Sequence, residues 1–521
     1  MSVGETDSSA GPATPDARRW WALGAVTLSV LTIGLDTTVL SVALPTLAGA
    51  LHASESELQW FTSGYALALT AAMLPAGLLG DRFGRKRVLV IALALFVAGS
   101  AACAFAPGPG LFLAARLALG LAGAGITVMA VSALTVLFSE QERPRAIAVW
   151  AGANFLALPL GPILGGWLLS HFWWGWVFLI NVPVALIGLV ATVILIPESR
   201  APERPGLDAT GIVASSAGLV AVTYGVIDAG QHGWGTPAAL GWIAAGILTL
   251  IAFFLWESRL ASRPEASPLL DPALFRSASF TWGATLAAVT LLSMSGILFT
   301  MPQYFQAVLG ETAMSSGLRL LPLIGGMVVG LVPSGRLAAA IGAKLTVTAG
   351  FALIAAGMLL GTTTTRASSV LLVSAWMALV GVGTGLAIST AASAALSDLP
   401  TDRSGVGSAA MQAIQKLGAP FGAAIVGSVL LTGYQARLNE VALPAAAAGA
   451  ARQSVFAGLT AAQRLGSPAL ETAIQNAFLH GLTASLLASA GISVFGAIAT
   501  LIFLPGRREP ARRAEFSSRV G

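Results

Sequence analysis

Charged residues make up only 10% of this 521-residue chain, against 56% hydrophobic residues and a mean hydropathy of +0.81. A soluble domain carries about a quarter charged residues, so a water-soluble globular fold is excluded. Cysteine occurs once, at Cys103. An intrachain disulfide and a cysteine zinc cluster are therefore both impossible. The four histidines, His52, His171, His232 and His480, do not cluster and form no H-E-x-x-H. No phosphate-binding loop and no appended soluble domain is present either. These absences exclude the common enzyme signatures, and neither metal nor cofactor is expected. Lysine appears three times, as Lys86, Lys344 and Lys416, so nearly all positive charge is arginine.

What fills the chain instead is a succession of apolar runs of roughly twenty residues, the length that crosses a bilayer core. The runs are continuous rather than alternating, which fits helices and not a transmembrane barrel. Fourteen spans are expected, near 20–48, 57–79, 88–106, 110–137, 144–168, 173–197, 207–228, 237–257, 276–307, 315–334, 345–361, 367–395, 404–433 and 480–504. Arg18 and Arg19 precede the first run, which is too long for a signal-peptide core and reads as the first membrane helix. An even count puts both termini on one side. With that side inside, twenty-one of the 28 basic residues fall on inner segments, as the positive-inside rule requires. The net charge of +5 then suits anionic lipid headgroups on the inner face and needs no nucleic acid.

The chain repeats itself. GLLGDRFGRK at 77–86 and GRLAAAIGAK at 335–344 share glycine, leucine, glycine and lysine at an offset of 258. The same offset carries Pro162 onto Pro420, and Gly123 and Gly125 onto Gly381 and Gly383. Six spans, an inserted pair and six further spans account for it. The expected organisation is a polar tail at 1–19, a six-helix bundle at 20–197, two linker helices at 207–257, a second bundle at 276–505 with an outer loop at 434–479, and a basic tail at 506–521. Parallel halves of this kind mark transporters with a substrate path between the bundles near the midplane.

Four motifs give this arrangement a family likeness. Gly77, Leu79, Asp81, Arg82, Gly84, Arg85 and Lys86 match a G-x-L-x-D-R-x-G-R-K signature. LDTTVLSVALP at 35–45 resembles L-D-x-T-V-V-N-V-A-L-P, with Ser41 in place of Asn. RLALG at 116–120 resembles R-x-x-Q-G, with Leu119 in place of Gln. GPILGG at 161–166 matches G-P-x-x-G-G, with Ala157 where a further glycine is usual. The chain resembles the fourteen-helix drug:proton antiporters of the major facilitator superfamily. That likeness implies an all-α polytopic fold of two pseudo-symmetric bundles in the cytoplasmic membrane of a bacterium, with both termini cytoplasmic. It also implies a monomeric exporter of hydrophobic or cationic drugs or antibiotics, driven by the proton gradient. The competing reading on the same fold is a proton symporter importing a small solute.

The residues carry specific expectations. Asp36 lies about 24 Å along the first helix, where a carboxylate needs a cavity or a partner. It is the candidate proton carrier. Arg116 cannot lose its proton in practice and is the candidate counter-charge. Asp81 adds nothing to a topology signal, so the turn holding Gly77, Asp81, Arg82, Gly84, Arg85 and Lys86 reads as an inner gate, with Asp81 reaching Arg145 or a helix end in the other bundle. Gly161, Pro162, Gly165 and Gly166 favour a kinked helix that packs closely at the seam between bundles. Candidate substrate contacts are Trp60, Tyr65, Asn154, Trp282, Gln303, Tyr304, Gln412 and Gln415, polar and aromatic groups of the kind that line ligand pockets. Lys416 is a basic residue within a span.

Overall fold

The computed structural model describes residues 16–138, 142–199, 208–262, 268–397 and 404–505. The described residues are helical almost throughout. The first bundle contains α1 (Asp16–Ala50), α2 (Glu55–Phe83), α3 (Arg85–Ala104), α4 (Pro109–Leu137), α5 (Arg143–His171), α6 (Trp176–Leu179) and α7 (Asn181–Leu195). Its apolar core draws on residues 22–196 and on Phe299. Then come α8 (Ala209–His232) and α9 (Pro237–Leu260). The second bundle contains α10 (Ala278–Gln303), α11 (Ala313–Arg319), α12 (Leu321–Ile341), α13 (Ala343–Gly361), α14 (Val370–Ser397), α15 (Ser404–Lys416), α16 (Gly418–Leu438), α17 (Ala445–Gln453), α18 (Val455–Arg464) and α19 (Pro468–Phe503). Its core draws on residues 286–504 and on Val42 of α1.

Twelve helices among the described residues are long and apolar enough to cross a membrane, or thirteen when Glu55–Met73 and Pro75–Phe83 count as one span bent by 47°. Pro75 sits at that bend, where it removes a helical hydrogen bond. The sequence-derived fourteen also includes 144–168, within α5; many side chains in the first half of α5 lie outside the described residues. Several helices leave an apolar stripe uncovered. On α9 it includes Leu240, Trp242, Ile247, Leu248 and Ile251, an area far beyond what a soluble surface tolerates.

The repeat in sequence is a repeat in backbone. Gly84, between α2 and α3, has φ 111°, and Gly342, between α12 and α13, has φ 93°. They stand 258 residues apart, and both adopt a conformation that only glycine reaches without strain. The inserted pair leans on both bundles. On α8, Gly230 and the Val226 carbonyl meet Ser428 of α16, whose Oγ donates to that carbonyl at 2.8 Å. Trp60 of α2 lies 6.3 Å from Tyr224 of α8, ring to ring.

Two expected boundaries shift. The last span begins at Pro468, not near 480, because Ser467 caps the helix and Pro468 opens it. Glu471, Thr472, Gln475 and Asn476 had diluted the apolar signal there. Gln475 Nε2 instead donates to the Ala307 carbonyl, 3.1 Å away. The expected outer loop shrinks accordingly and contains α17 and α18. Phe456 on α18 packs against both cores, and Gln453 Nε2 donates to the His52 carbonyl at 3.2 Å. This segment therefore covers one end of the seam.

Candidate functional site

Asp36 is 2% exposed and Arg116 1% exposed. One Arg116 nitrogen donates to Asp36 Oδ2 at 2.5 Å. Arg116 Nε donates to the Phe61 carbonyl at 3.2 Å, and its guanidinium lies 4.1 Å over the Tyr65 ring. The other carboxylate oxygen, Oδ1, accepts from Asn181 Nδ2 at 3.3 Å. Four helices thus meet at one buried acid: α1 supplies it, α4 its charge partner, α2 the platform and α7 an amide. Thr37 and Thr38 donate to backbone carbonyls instead of to Asp36. A buried pair of this kind holds together because each ion is the other's main solvent; removing one partner costs about 3–5 kcal/mol.

The glycine motif of α5 has two faces. Gly161 and Gly165 lie against Thr38 and Val39 of α1. Gly166 lies against the backbone of Ala313 and Met314 on α11, and Gly317 of α11 lies against the Pro162 carbonyl. The first face joins α5 to the helix carrying Asp36. The second joins the first bundle to the second. Further bonds bridge the bundles toward the same end. Ser63 Oγ donates to the Pro420 carbonyl at 3.1 Å. Ser428 Oγ lies 3.3 Å from Gln59 Oε1. Gln306 Nε2 donates to the Val42 carbonyl at 3.1 Å, and Gln303 Nε2 to Glu55 Oε1 at 3.1 Å.

At the opposite end lies the basic turn. Asp81 accepts from Arg85, four residues on, at 2.9 Å and 3.1 Å. The expected partner was Arg145 or a helix end across the seam; the side chain of Arg145 lies outside the described residues. The turn docks onto its own bundle through Glu198, a residue that sequence reasoning passed over. Glu198 Oε1 accepts from the Lys86 amide at 3.2 Å, and Arg85 N donates to the Ser199 carbonyl at 2.9 Å. Lys86 Nζ donates to the Val193 carbonyl at 2.7 Å. Gly84 is required twice over, by its φ of 111° and because a Cβ there would stand 2.5 Å from Glu198 Oε1. Gly84→Ala is expected to cost about 1–3 kcal/mol, read as a lower melting temperature in detergent. Adding Glu198→Ala should relieve the clash and recover only part of that loss.

The Major Facilitator Superfamily model matches residues 26–423. The chain belongs to the major facilitator superfamily. Among curated members of that superfamily, it is 34% identical over 437 residues to the tetracenomycin C resistance and export protein of Streptomyces glaucescens, covering 82% of this chain and 80% of that one. It is 32% identical over 441 residues to the multidrug efflux pump LfrA of Mycolicibacterium smegmatis, covering 84% and 86%. Its fold is similar to that of a bacterial homologue of the human lysosomal transporter Spinster, crystallised inward-facing and unoccupied, at a TM-score of 0.68 and 16% identity over 96% of this chain and 100% of that one.

The sequence-derived substrate candidates take the following places in this superfamily fold. Tyr65 is in the first core beneath Arg116. Tyr304 is in the second core, its hydroxyl donating to the Thr365 carbonyl at 2.8 Å. Trp60 faces the inserted α8, and Trp282 stacks on Phe503 at 4.2 Å. Gln303 is sealed in the seam between bundles. Each aromatic or amide was read from its chemistry, which does not say which way the helix turns it. Gln412, Gln415 and Lys416 are half-buried on α15. The side chain of Asn154 lies outside the described residues. Among the described residues, no three His, Cys, Asp or Glu side chains come together as a metal site.

Proposed function

We propose that this chain is a proton-coupled antiporter that exports hydrophobic or cationic drugs or antibiotics across the bacterial cytoplasmic membrane by alternating access. It works as a monomer without a cofactor, and it has fourteen spans with both termini in the cytoplasm. The 29-residue α5 supplies the fourteenth span, and the division into 20–197, 207–257 and 276–505 follows the two cores and the inserted pair. The observation that carries the reading is the buried Asp36–Arg116 pair, within a chain whose relatives are an export protein and an efflux pump. Those relatives favour export over the symporter reading.

The chemistry is simple. An intramembrane acid that is clamped by a fixed cation in one state and wetted in another changes its proton affinity between them. Asp36 is positioned to do this, because its second partner, Asn181, sits where α6 gives way to α7. With the positive residues on the inner side, the bonded end of the seam is the outer end.

Everted vesicles test the direction. With a preformed pH gradient, acid inside, addition of an exported cationic dye should collapse the gradient in vesicles carrying the chain. Collapse by a nutrient and by no drug overturns the export reading.

A further inference from the structure

Glu55 opens α2 and is 3% exposed. Its neighbours have all been claimed for other tasks. Glu57, two residues on, completes the capping box with Ser54 and serves the helix end. Glu55 is thereby left to face the second bundle, where Gln303 Nε2 donates to its Oε1 at 3.1 Å. The same Nε2 donates to the Phe299 carbonyl at 3.2 Å, so both amide hydrogens are spent. Gln303 Oε1, also buried, has no donor. A buried amide oxygen without a donor is costly. The group on the same amide that can acquire a donor is the Glu55 carboxyl, by taking up a proton.

The charges nearby do not stabilise an ionised Glu55. α10 contains no ionisable residue. On α16, the hydroxyl of Tyr434 is committed to the Ala451 carbonyl at 2.7 Å, and Arg437 is exposed and paired with Glu440. Arg452, Arg464 and His52 are exposed. The first turn of α2 favours negative charge, but by less than the burial of an unpaired ion costs. The closed end of the seam is therefore complete with Glu55 neutral.

We infer that Glu55 is a second proton-binding site, a latch that joins the two bundles when protonated and frees them when ionised. Closing the seam takes one proton from water at that face onto the carboxylate; opening returns it. The O–H bond is the one covalent bond made or broken, the hydrogen bonds across the seam part with it, and nothing is oxidised or reduced. The latch adds to the proposed Asp36 coupling, and it is tested without transport.

The reporter is a thiol at position 63, fully buried between α2 and α16, made as Ser63→Cys with Cys103→Ala in the full chain in nanodiscs. Labelling by a polar maleimide is timed at about pH 5.5 and about pH 8.5, on either side of the upper range that buried carboxyls reach, and each rate is divided by that of a free thiol at the same pH. The corrected rate should rise by about tenfold, the factor that 1.4 kcal/mol gives. Glu55→Gln should label slowly at both values, because its amide keeps the latch shut. Glu55→Ala should label fast at both. A Glu55→Gln protein that keeps the pH dependence, or a Glu55→Ala protein as slow as Glu55→Gln, overturns the latch. Asp36→Asn in the same background should leave the pH dependence in place, so loss of the Asp36 reading and loss of the latch give different results.

Discussion

Asp36→Asn is expected to abolish proton-driven efflux and, in the same protein, to lower thermal stability. Both effects come from one contact. Arg116 is 1% exposed and has Asp36 as its carboxylate partner. Neutralising the acid leaves a guanidinium buried on a ring and one carbonyl. Stranding one member of such a pair costs about 3–5 kcal/mol. Loss of transport in that variant alone would therefore confuse coupling with folding. The double variant Asp36→Asn with Arg116→Gln separates them. It removes both ions, so no charge is left buried without its partner, and the melting temperature should return part of the way. Efflux should not return, because nothing at position 36 then carries a proton. Efflux measured with the double variant at the wild-type rate would remove Asp36 from the mechanism, whatever the single variant does.

How much of this site was legible in the sequence depends on what kind of signal each residue leaves. Asp36 and Arg116 stood out because charge within a span is costly and therefore rare, and the structure joins them across 80 residues of sequence. Asn181 belongs to the FLINVP stretch of the sixth predicted span, but an amide is cheap enough in a helix that its presence alone points nowhere. Glu198 was hidden for the opposite reason. It sits at a helix end, where acids are ordinary, and only the tight approach to Gly84 shows its use. Glu55 was masked by its neighbour Glu57, since S-x-x-E reads as a cap and the acid between is silent. The repeat, by contrast, was fully legible. Its key position demands a backbone that glycine alone adopts, and Gly84 and Gly342 both adopt it. Helix faces were not legible. In spans this uniformly apolar, the usual amphipathic pattern is absent, so nothing in the sequence showed that Tyr65 lies beneath Arg116 or that Tyr304 reaches the Thr365 carbonyl.

The seam offers the second large effect. Gly165 and Gly166 are consecutive, but they press on different bundles. A Cβ on Gly165 would stand 2.8 Å from Val39 Cγ1, inside the first bundle. A Cβ on Gly166 would stand 2.6 Å from Met314 Cα and 2.8 Å from the Ala313 carbonyl, across the seam. Val39 has a side chain that can give a little; Met314 and Ala313 present backbone, which cannot. Gly165→Val is therefore expected to lower the melting temperature through overpacking, by about 1–3 kcal/mol. Gly166→Val directs the same strain against the closed conformation only, since parting the bundles relieves it. A penalty of that size shifts a two-state equilibrium by about 5- to 150-fold. The expected phenotype is a protein that melts near the wild-type temperature, labels fast at position 63, and exports little, because it cannot return to the closed state. Gly317→Ala, which drives a methyl toward the Pro162 carbonyl from the other side, should reproduce it. If Gly166→Val instead melts early and labels slowly, the glycine is packing its own bundle and the seam is not where the two conformations part.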